Sequence, residues 1–275
     1  VPRIEVRLTP LLIDGRIAEV AVEETIQGVA GSPDAPLLTV PVRVTTVMGQ
    51  PYAESDIRAA DADGLLPLRM TVPPPNPAAP VLPRTFAPTR LTRGPITLAY
   101  RARITPATDP RRPGPSYDLR GLPDGFGGAF FSFLLMPAAA TGLIDFGLAW
   151  DLGRLAAGSV GVSTLGEGDV RARIPASEVL VTFLLAGRLG HYATTGSAYR
   201  AYWIGQPPFD PVANTAWAAR SHAVLKAFFD ETDTRPYTLL MRPHTLPRDG
   251  GGATRNGFML EIGTGAMSDA ARRFM

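Results

Sequence analysis

Residues 236–262 read PYTLLMRPHTLPRDGGGATRNGFMLEI, and this stretch decides how the rest of the chain is interpreted. Its apolar start, Tyr237–Met241, predicts a strand, and the apolar residues after Gly257 predict another. Between them lies a glycine-rich segment, Gly250–Gly257. Glycine lets a backbone approach a ligand closely, and a free strand edge can pair with an extended peptide. We therefore take this segment as the candidate binding edge, the alternative being an ordinary loop between two strands.

Helical signals lie on both sides of this stretch. Asp210 and Pro211 supply an N-cap and a first-turn proline. Apolar residues follow at helical spacing and predict a helix over residues 211–230: Ala213, Trp217, Val224, Leu225 and Phe228. Residues 268–275 predict the opening of another helix.

The first two-thirds of the chain alternates between apolar and polar residues. The clearest apolar series are Val20, Val22 and Ile26; Leu38, Val40, Val42 and Val44; and Ile96, Leu98, Tyr100, Ala102 and Ile104. A period of two predicts half-buried strands. Short strands separated by glycine and proline turns predict a mainly β fold, with an N-terminal β-sandwich followed by an α/β segment. We place the boundary near residue 177, which gives domains at 1–177 and 178–275.

Two further features bear on the arrangement of the strands. Pro41 cannot donate a ladder hydrogen bond, so its strand is expected at a sheet edge. The continuous apolar runs Ala129–Met136 and Val179–Leu185 predict strands that are buried on both faces.

The composition excludes several classes of function. Hydrophobic residues make up 45% of the chain and charged residues 19%, which is typical of a globular protein with a core. The net charge is only +2, and every basic residue except Lys226 is an arginine, scattered among acids. The sequence therefore predicts no nucleic-acid partner. No stretch approaches ~18 consecutive apolar residues, so no membrane-spanning helix is predicted either.

The residue usage also bears on the source and the compartment. Arginine, alanine, glycine and proline are abundant, as in proteins from GC-rich bacterial genomes. The chain has no cysteine, which excludes thiolate zinc sites and cysteine nucleophiles. The localisation stays open between the bacterial periplasm or secretion and the cytoplasm.

The sequence contains no compact catalytic pattern. A zinc-binding helix needs two histidines four residues apart, and no such pair exists among His191, His222 and His244. A Gly-x-Ser-x-Gly nucleophile elbow is absent as well. Two pairs of acids lie close in sequence, but turn capping explains them better than catalysis: Asp145 with Asp151, and Glu167 with Asp169.

The order of several short segments resembles the glycyl-aminopeptidase-like family of zinc metallopeptidases, gluzincins distantly related to aminopeptidase N. The resemblance spans nearly the whole chain and rests on the order and spacing of short pieces: residues 22–25 (VEET), 38–41 (LTVP), 60–64 (ADADG), 96–101 (ITLAYR), 117–120 (YDLR), 133–137 (FLLMP), 150–152 (WDL), 202–203 (YW) and 236–237 (PY). It implies an N-terminal β-sandwich, a thermolysin-like catalytic domain, and zinc in the full-length protein.

The resemblance also implies a substrate-binding edge. In that family a Gly-Gly pair and a glutamate lie on the edge strand of the catalytic domain, where the glutamate helps to hold the substrate's free amino terminus. Gly251 and Gly252 match the pair, but Ala253 and Thr254 stand where Leu-Glu is usual, and Arg255 follows. The acidic anchor is thus missing, and an arginine would repel an ammonium group. This departure favours an endopeptidase or an altered specificity.

We therefore expect the N-terminal fragment of a bacterial zinc metallopeptidase whose substrate is peptide. The family's His-Glu-x-x-His zinc helix would continue the segment at 268–275, so residues 178–275 are expected to be the truncated start of the catalytic domain. The chain alone is then catalytically silent, with no catalytic or metal-binding residue of its own. Glu261 is the candidate to replace the missing acidic anchor.

Three other expectations accompany this one. The chain could instead be a non-catalytic β-rich module that binds peptide or glycan through the glycine-rich loop and the pair Tyr202-Trp203. It could also be an enzyme without a metal, in which a histidine acts as the general base. Truncation would leave Trp217 or Phe228 partly uncovered, so a homo-oligomer through that face is expected.

Overall fold

The described residues form many strands and two α-helices, and the alternating pattern of the sequence predicts the strands. A computed structural model describes residues 1–44, 46–72, 74, 81–109, 116–193 and 198–265. The first strands are β1 (Arg3–Ile13), β2 (Arg16–Gln27), β3 (Leu38–Val44), β4 (Val47–Met48), β5 (Arg58–Asp61), β6 (Gly64–Leu65), β7 (Leu68–Thr71), β8 (Val81–Pro88) and β9 (Ile96–Arg103). They are followed by β10 (Arg120–Leu122), β11 (Gly125–Ala129), β12 (Met136–Pro137), β13 (Leu143–Trp150), β14 (Val160–Ser163), β15 (Gly166–Glu167) and β16 (Val170–Pro175).

The last part of the chain contains both α-helices. Its elements are α1 (Ala176–Leu180), β17 (Phe183–Gly187), β18 (Leu189–Ala193), β19 (Tyr199–Ile204), α2 (Pro211–Phe228), β20 (Tyr237–Pro243), β21 (Gly250–Thr254) and β22 (Gly257–Ile262). The helical segment expected at 268–275 lies outside the described residues. Within them, no helix is long and apolar enough to cross a membrane.

The strands of the described residues form four sheets. A seven-stranded sheet has the order β16-β13-β1-β2-β9-β5-β6, and a five-stranded sheet has the order β10-β11-β17-β14-β15. A third sheet has the order β12-β3-β8-β7, with β4 also paired to β3. The fourth has the order β18-β19-β20-β22-β21, and we call it the C-terminal sheet.

The first three sheets face one another across a single apolar core. Val22 and Tyr100 of the seven-stranded sheet pack in the same cluster as Leu38 and Phe86 of the third sheet and Phe126 of the second. All five side chains are buried, and each fully buried large apolar side chain stabilises the fold by about 1.5–3 kcal/mol relative to exposure. The predicted β-sandwich is confirmed. Strand β9 follows the predicted alternation along its whole length, with buried and exposed residues in turn.

The edge position predicted for Pro41 is wrong. Strand β3 pairs with β8 on one side and with β12 and β4 on the other. The register between β3 and β8 shifts between Pro41 and Arg43, so a β-bulge accommodates the residue that cannot donate. The Gly49 Cα lies so close that an added Cβ would be 2.4 Å from the Pro41 carbonyl oxygen.

The two apolar runs are largely buried, but the prediction that each is one strand is wrong. Strand β11 ends at Ala129, and Phe130–Ser132 forms a 3₁₀ turn whose Phe130 ring packs against Phe133 and Phe146. In the second run, α1 covers Ala176–Leu180 and the strand begins only at Phe183. A continuous apolar run indicates burial, and it does not distinguish a buried strand from a buried turn or helix.

The C-terminal sheet has α/β character. Strand β20 is parallel to β19 and to β22, and α2 lies in the connection from β19 to β20. The helix begins where predicted, because the Asp210 carboxylate accepts hydrogen bonds from the backbone N–H groups of Val212 (2.9 Å) and Ala213 (3.0 Å). Sheet membership changes between Gly187 and Leu189. The division into domains at residue 177 stays a prediction.

Helix α2 presents small residues to the sheet and several of its large apolar residues to solvent. Ala218 and Ala219 pack against the cluster formed by Tyr199 and Met241. Val224, Leu225, Phe228 and the following Phe229 are exposed, with Phe228 77% accessible. The uncovered helix face expected from the sequence is therefore present. Self-association through it stays a prediction.

Candidate functional site

The glycine-rich segment is an edge strand of the C-terminal sheet. Strand β21 pairs antiparallel with β22, from Gly250 opposite Glu261 to Thr254 opposite Gly257. Within the described part of the chain no other strand pairs with β21. Its other side therefore carries main-chain N–H and C=O groups that a further strand could meet. The turn that joins the two strands contains Arg255 and Asn256.

Packing on both faces of β21 explains two of its glycines. A Cβ added at Gly251 would lie 2.4 Å from the Phe258 ring and 2.5 Å from the Met259 carbonyl oxygen. A Cβ added at Gly252 would lie 2.8 Å from Cζ of Phe183, on the opposite face. Successive residues of a strand point to opposite faces, so both surfaces of the edge strand are in close contact with aromatic rings.

The hairpin end of β21 holds a group of ion pairs. Asp233 accepts hydrogen bonds from the side chains of Arg235 (2.9 Å) and Asn256 (3.3 Å), and Arg235 also pairs with Glu178 of α1 at 2.8 Å. The hydrogen bond from Arg235 lowers the pKa of Asp233. Arg255 is the more exposed cation, with its Nε 3.6 Å from Asp233 Oδ2. These contacts anchor the turn to α1 and the preceding loop.

Thr254, which stands where the resemblance implies a glutamate, is oriented into the hairpin. Its Oγ1 donates a hydrogen bond to the Gly257 carbonyl oxygen at 3.3 Å. Ala253, on the other parity of the strand, is exposed. Neither residue supplies a negative charge at this end of the edge.

Glu261 faces away from solvent and is already paired, so it is not an acidic anchor at the edge. Its Oε1 accepts hydrogen bonds from Nη2 (2.6 Å) and Nε (3.0 Å) of Arg242, which is completely buried. Arg242 Nη2 also contacts Asp118 Oδ1 at 2.5 Å. Its Nη1 donates to the carbonyl oxygens of Asp118 and Gly127, both at 2.9 Å.

The cluster of Asp118, Arg242 and Glu261 joins two sheets. Arg242 and Glu261 belong to the C-terminal sheet, whereas Asp118 and Gly127 lie at the β10–β11 hairpin. Burial lowers the pKa of Arg242, and the two carboxylates more than offset this and raise it above its ordinary value. Buried charges persist only when they are paired and hydrogen-bonded. The cluster therefore fixes the C-terminal sheet against the β10–β11 hairpin of the sandwich. One of its members, Glu261, lies on β22, the strand that pairs with β21.

The three histidines do not form a metal site. His191 lies on β18 and is exposed, and His222 lies on α2 against the rings of Tyr199 and Tyr237. Burial lowers the pKa of His222. His244 follows β20, where its Nδ1 accepts a hydrogen bond from the Leu246 N–H at 3.0 Å. Within the described residues no three metal-binding side chains come together, so these residues do not fit zinc.

The paired acids have structural partners. Asp169 accepts a hydrogen bond from the Trp150 N–H at 2.9 Å, and Asp151 lies 3.4 Å from the Thr9 hydroxyl. Asp145 faces Arg173 across the sheet at 3.9 Å. Glu167 accepts a hydrogen bond from the Tyr202 hydroxyl at 2.6 Å. None of these pairs forms a joint acid–base centre.

The pair Tyr202-Trp203 does not form one binding surface. Tyr202 is 4% exposed and packs with the core on the sandwich side of β19. Trp203, its neighbour, points to the other face and covers Gly190, where an added Cβ would lie 2.2 Å from its Nε1. Adjacent strand residues face opposite sides, which the dipeptide alone already indicates.

One buried acid was not singled out by the sequence patterns. Glu24 of β2 accepts a hydrogen bond on Oε1 from the Tyr100 hydroxyl, which itself accepts from the Leu135 N–H at 3.1 Å. Its Oε2 has no hydrogen-bond partner among the described residues. Burial raises the pKa of Glu24 to about 8. The signal was available in the sequence, since Glu24 falls on the same parity as Val20, Val22 and Ile26.

An apolar groove lies between α2 and the face of the C-terminal sheet on which α2 packs. Its volume is about 240 Å³. The side chains that line it are mostly aromatic or aliphatic and include Trp217, Leu239, Phe258 and Leu260. The groove borders β22, the strand that carries the edge strand β21.

Comparison with solved structures identifies the fold. An aminopeptidase N family protein from Idiomarina loihiensis matches with a TM-score of 0.67 at 16% identity, over 98% of this chain and 45% of that one. Native leukotriene A4 hydrolase from Saccharomyces cerevisiae matches with a TM-score of 0.51 at 12% identity, over 95% and 40%. A mutant of a two-domain M1 zinc metallopeptidase bound to L-arginine matches with a TM-score of 0.50 at 14% identity, over 98% and 62%.

These likenesses concern the fold and cover only part of the matched proteins. The chain spans less than two thirds of the length of each of the three. No protein-family model matches the chain, and no curated protein matches it. This chain shares the fold of the N-terminal regions of M1 aminopeptidase N family zinc metallopeptidases.

Proposed function

We propose that this chain is the N-terminal part of a bacterial zinc metallopeptidase of the glycyl-aminopeptidase-like type. In this proposal residues 1–177 form the sandwich domain, and residues 178–275 begin the catalytic domain and contribute its substrate-side edge. The observation that carries the proposal is β21, a glycine-rich strand at the edge of the C-terminal sheet with one side not paired to another described strand.

Such an edge suits an extended peptide. A peptide laid along Gly250–Thr254 would pair with main-chain N–H and C=O groups, each net hydrogen bond contributing about 0.5–1.5 kcal/mol. The ion pairs at the hairpin end and the Arg242 cluster behind β22 keep the strand in place before any substrate arrives. Preorganisation of this kind reduces the free-energy cost of ordering on binding.

The chemistry of peptide hydrolysis is assigned to residues outside the described part of the chain. The described histidines and carboxylates do not fit zinc, and they have no catalytic role in this proposal. In the proposed longer protein, zinc would activate water and polarise the scissile carbonyl. The role of the present residues is to position the substrate main chain.

The test compares the 275-residue chain with the product of its native gene. We expect the gene product to be longer, to bind about one zinc per protein when measured by elemental analysis, and to hydrolyse peptides in a chelator-sensitive manner. The 275-residue chain should show neither property. A native product that ends at Met275, or hydrolysis by the short chain that resists chelators, would overturn the proposal.

The second candidate is a non-catalytic peptide-binding module, which the same free edge favours. A glycan-binding version receives less support, because Tyr202 is buried and cannot form a platform with Trp203. Isothermal titration of peptides into the 275-residue chain separates the two candidates. A module should bind with micromolar affinity by itself, whereas one half of a bipartite site should bind far more weakly.

A further inference from the structure

The hairpin end of the edge strand has an unusual balance of charge for a site that would receive an amino terminus. Arg255 directly follows β21, and its side chain is 67% exposed. Arg235, beside it, is 38% exposed. The acids paired with these arginines are far less accessible, with the side chain of Asp233 17% exposed and that of Glu178 13% exposed. Glu231 is exposed, and its carboxylate accepts a hydrogen bond from the Asp233 N–H at 2.8 Å. A ligand that approaches the turn after β21 from solvent therefore meets the guanidinium group of Arg255 before the carboxylates of Asp233 and Glu178.

The nearby carboxylates are already engaged by the protein. Asp233 accepts hydrogen bonds from Arg235 and Asn256, and Glu178 pairs with Arg235. Glu261 is paired with Arg242 behind the sheet, and Asp249 at the other end of β21 accepts a hydrogen bond from the Gly263 N–H at 2.7 Å. An ammonium group at this edge would have to displace one of these contacts before it gained a counter-ion.

We infer that Arg255 is a specificity-determining residue that selects extended peptides with a carboxylate, rather than a free ammonium, at the hairpin end of β21. This inference rests on the proposed function of β21 as a substrate edge. The ligand class is an N-blocked or internal polypeptide segment with an acidic side chain near Arg255. The guanidinium can donate two parallel hydrogen bonds to a carboxylate, whereas it repels an ammonium group.

The probes are four peptides of equal length with a common apolar segment: acetyl-Asp, acetyl-Ala, acetyl-Lys and free-amine Ala at the first position. Their binding to the 275-residue chain is measured by chemical-shift perturbation of the β21 and β22 amides. An exposed charge pair contributes up to about 1 kcal/mol, which corresponds to roughly a fivefold change in affinity. We expect acetyl-Asp to bind about fivefold more tightly than acetyl-Ala, and acetyl-Lys and the free amine to bind more weakly than acetyl-Ala.

Two variants and a matched control test whether Arg255 causes this order of peptide affinities. Arg255→Ala should abolish the order of affinities, and Arg255→Glu should invert it. Arg220→Glu makes the same charge change at an exposed position of α2 and should leave the order intact. The wild-type preference should also shrink when the salt concentration rises from 0.02 to about 0.5 M, because exposed charges are screened.

The outcomes separate this inference from the proposed function. Equal affinities for the four peptides, no binding at β21, or an unchanged order in Arg255→Ala would each overturn the inference. Zinc content and chelator-sensitive hydrolysis of the longer gene product decide the proposed function independently. A zinc peptidase that prefers free amino termini would leave the proposed function standing and remove the inference.

Discussion

The sandwich and the C-terminal sheet each bury one ionisable side chain, Glu24 and Arg242, and the two are stabilised in different ways. Glu24, in the sandwich core, has one carboxylate oxygen bonded to Tyr100 and another without a hydrogen-bond partner among the described residues. Arg242, in the C-terminal sheet, is bonded to two carboxylates and three carbonyl oxygens. The first is accommodated by keeping its proton, and the second by full pairing. Protonation makes the sandwich sensitive to pH, whereas pairing makes the contact between sheets sensitive to the loss of one partner.

Removing the central cation should have the largest effect. Arg242→Met leaves Glu261 buried without its counter-charge, while Asp118 keeps only its ion pair with Arg120 at 2.8 Å, so the free energy of unfolding should fall by about 3–5 kcal/mol in urea denaturation. The double variant Arg242→Met with Glu261→Gln removes the unpaired carboxylate, leaves the Arg120–Asp118 pair intact, and should recover part of the loss. A loss below about 1 kcal/mol in the single variant would contradict the role given to this cluster.

The buried acid should dominate the pH dependence of stability. Burial raises the pKa of Glu24 to about 8 in the folded chain from its ordinary value of 4.5, so the folded state retains the proton that the unfolded state releases. Stability from this group is therefore fully present below pH ~4.5 and declines as the pH rises towards 8, by roughly 3 kcal/mol between pH 5 and pH 8. Glu24→Gln should flatten this decline in thermal melts recorded across that range.

The matched control lies one residue away on the same strand. Glu23 is exposed, with 70% of its side chain accessible. Glu23→Gln should therefore leave the pH profile of the wild type unchanged. If both variants flatten the profile equally, or neither does, the decline does not come from Glu24.

The strands of the sandwich could be predicted because their signal is local. The alternation along Ile96–Arg103 depends only on neighbouring residues, and buried and exposed side chains alternate along the whole strand in the structure. The contacts of Arg242 could not be predicted, since Asp118 lies 124 residues away in the sequence. Pro41 was misplaced for a related reason, because the bulge that accommodates it depends on the register with β8.

For the candidate site as well, local features could be predicted from the sequence and long-range contacts could not. The glycine run predicted an edge, and β21 is an edge strand of the C-terminal sheet. The ion pair between Glu261 and Arg242 could not be predicted from the sequence. It depends on the register that places the two residues opposite each other on β20 and β22. The binding roles of Gly251, Gly252, Ala253, Thr254 and Arg255 stay predictions.

Removing the N-cap of α2 should have a smaller effect on stability than removing Arg242. Asp210→Ala removes the acceptor for two backbone N–H groups and should lower the free energy of unfolding by about 1 kcal/mol. Asp210→Asn retains an acceptor and should cost less. Equal loss in both variants, measured by urea denaturation, would mean that the carboxylate acts through its charge and not as a cap.

The smallest effect on stability, but a clear one on association, is expected on the exposed face of α2. Phe228→Ser combined with Phe229→Ser should change the free energy of unfolding by no more than about 0.5 kcal/mol, because both rings are largely in solvent. The wild-type chain should self-associate with rising concentration in sedimentation velocity, and the double variant should not. A wild-type chain that stays monomeric at high concentration would exclude this face as a contact between copies.

The close packing around Gly251 and Gly252 limits how far β21 can discriminate between the molecules that bind beside it. With aromatic rings against both of its faces, the strand has no room for side chains at these two positions. A molecule beside it would meet a repeating main chain that carries almost no information about sequence. Any choice among partners must then be encoded at the ends of the strand, and variation there could change selectivity without disturbing the scaffold.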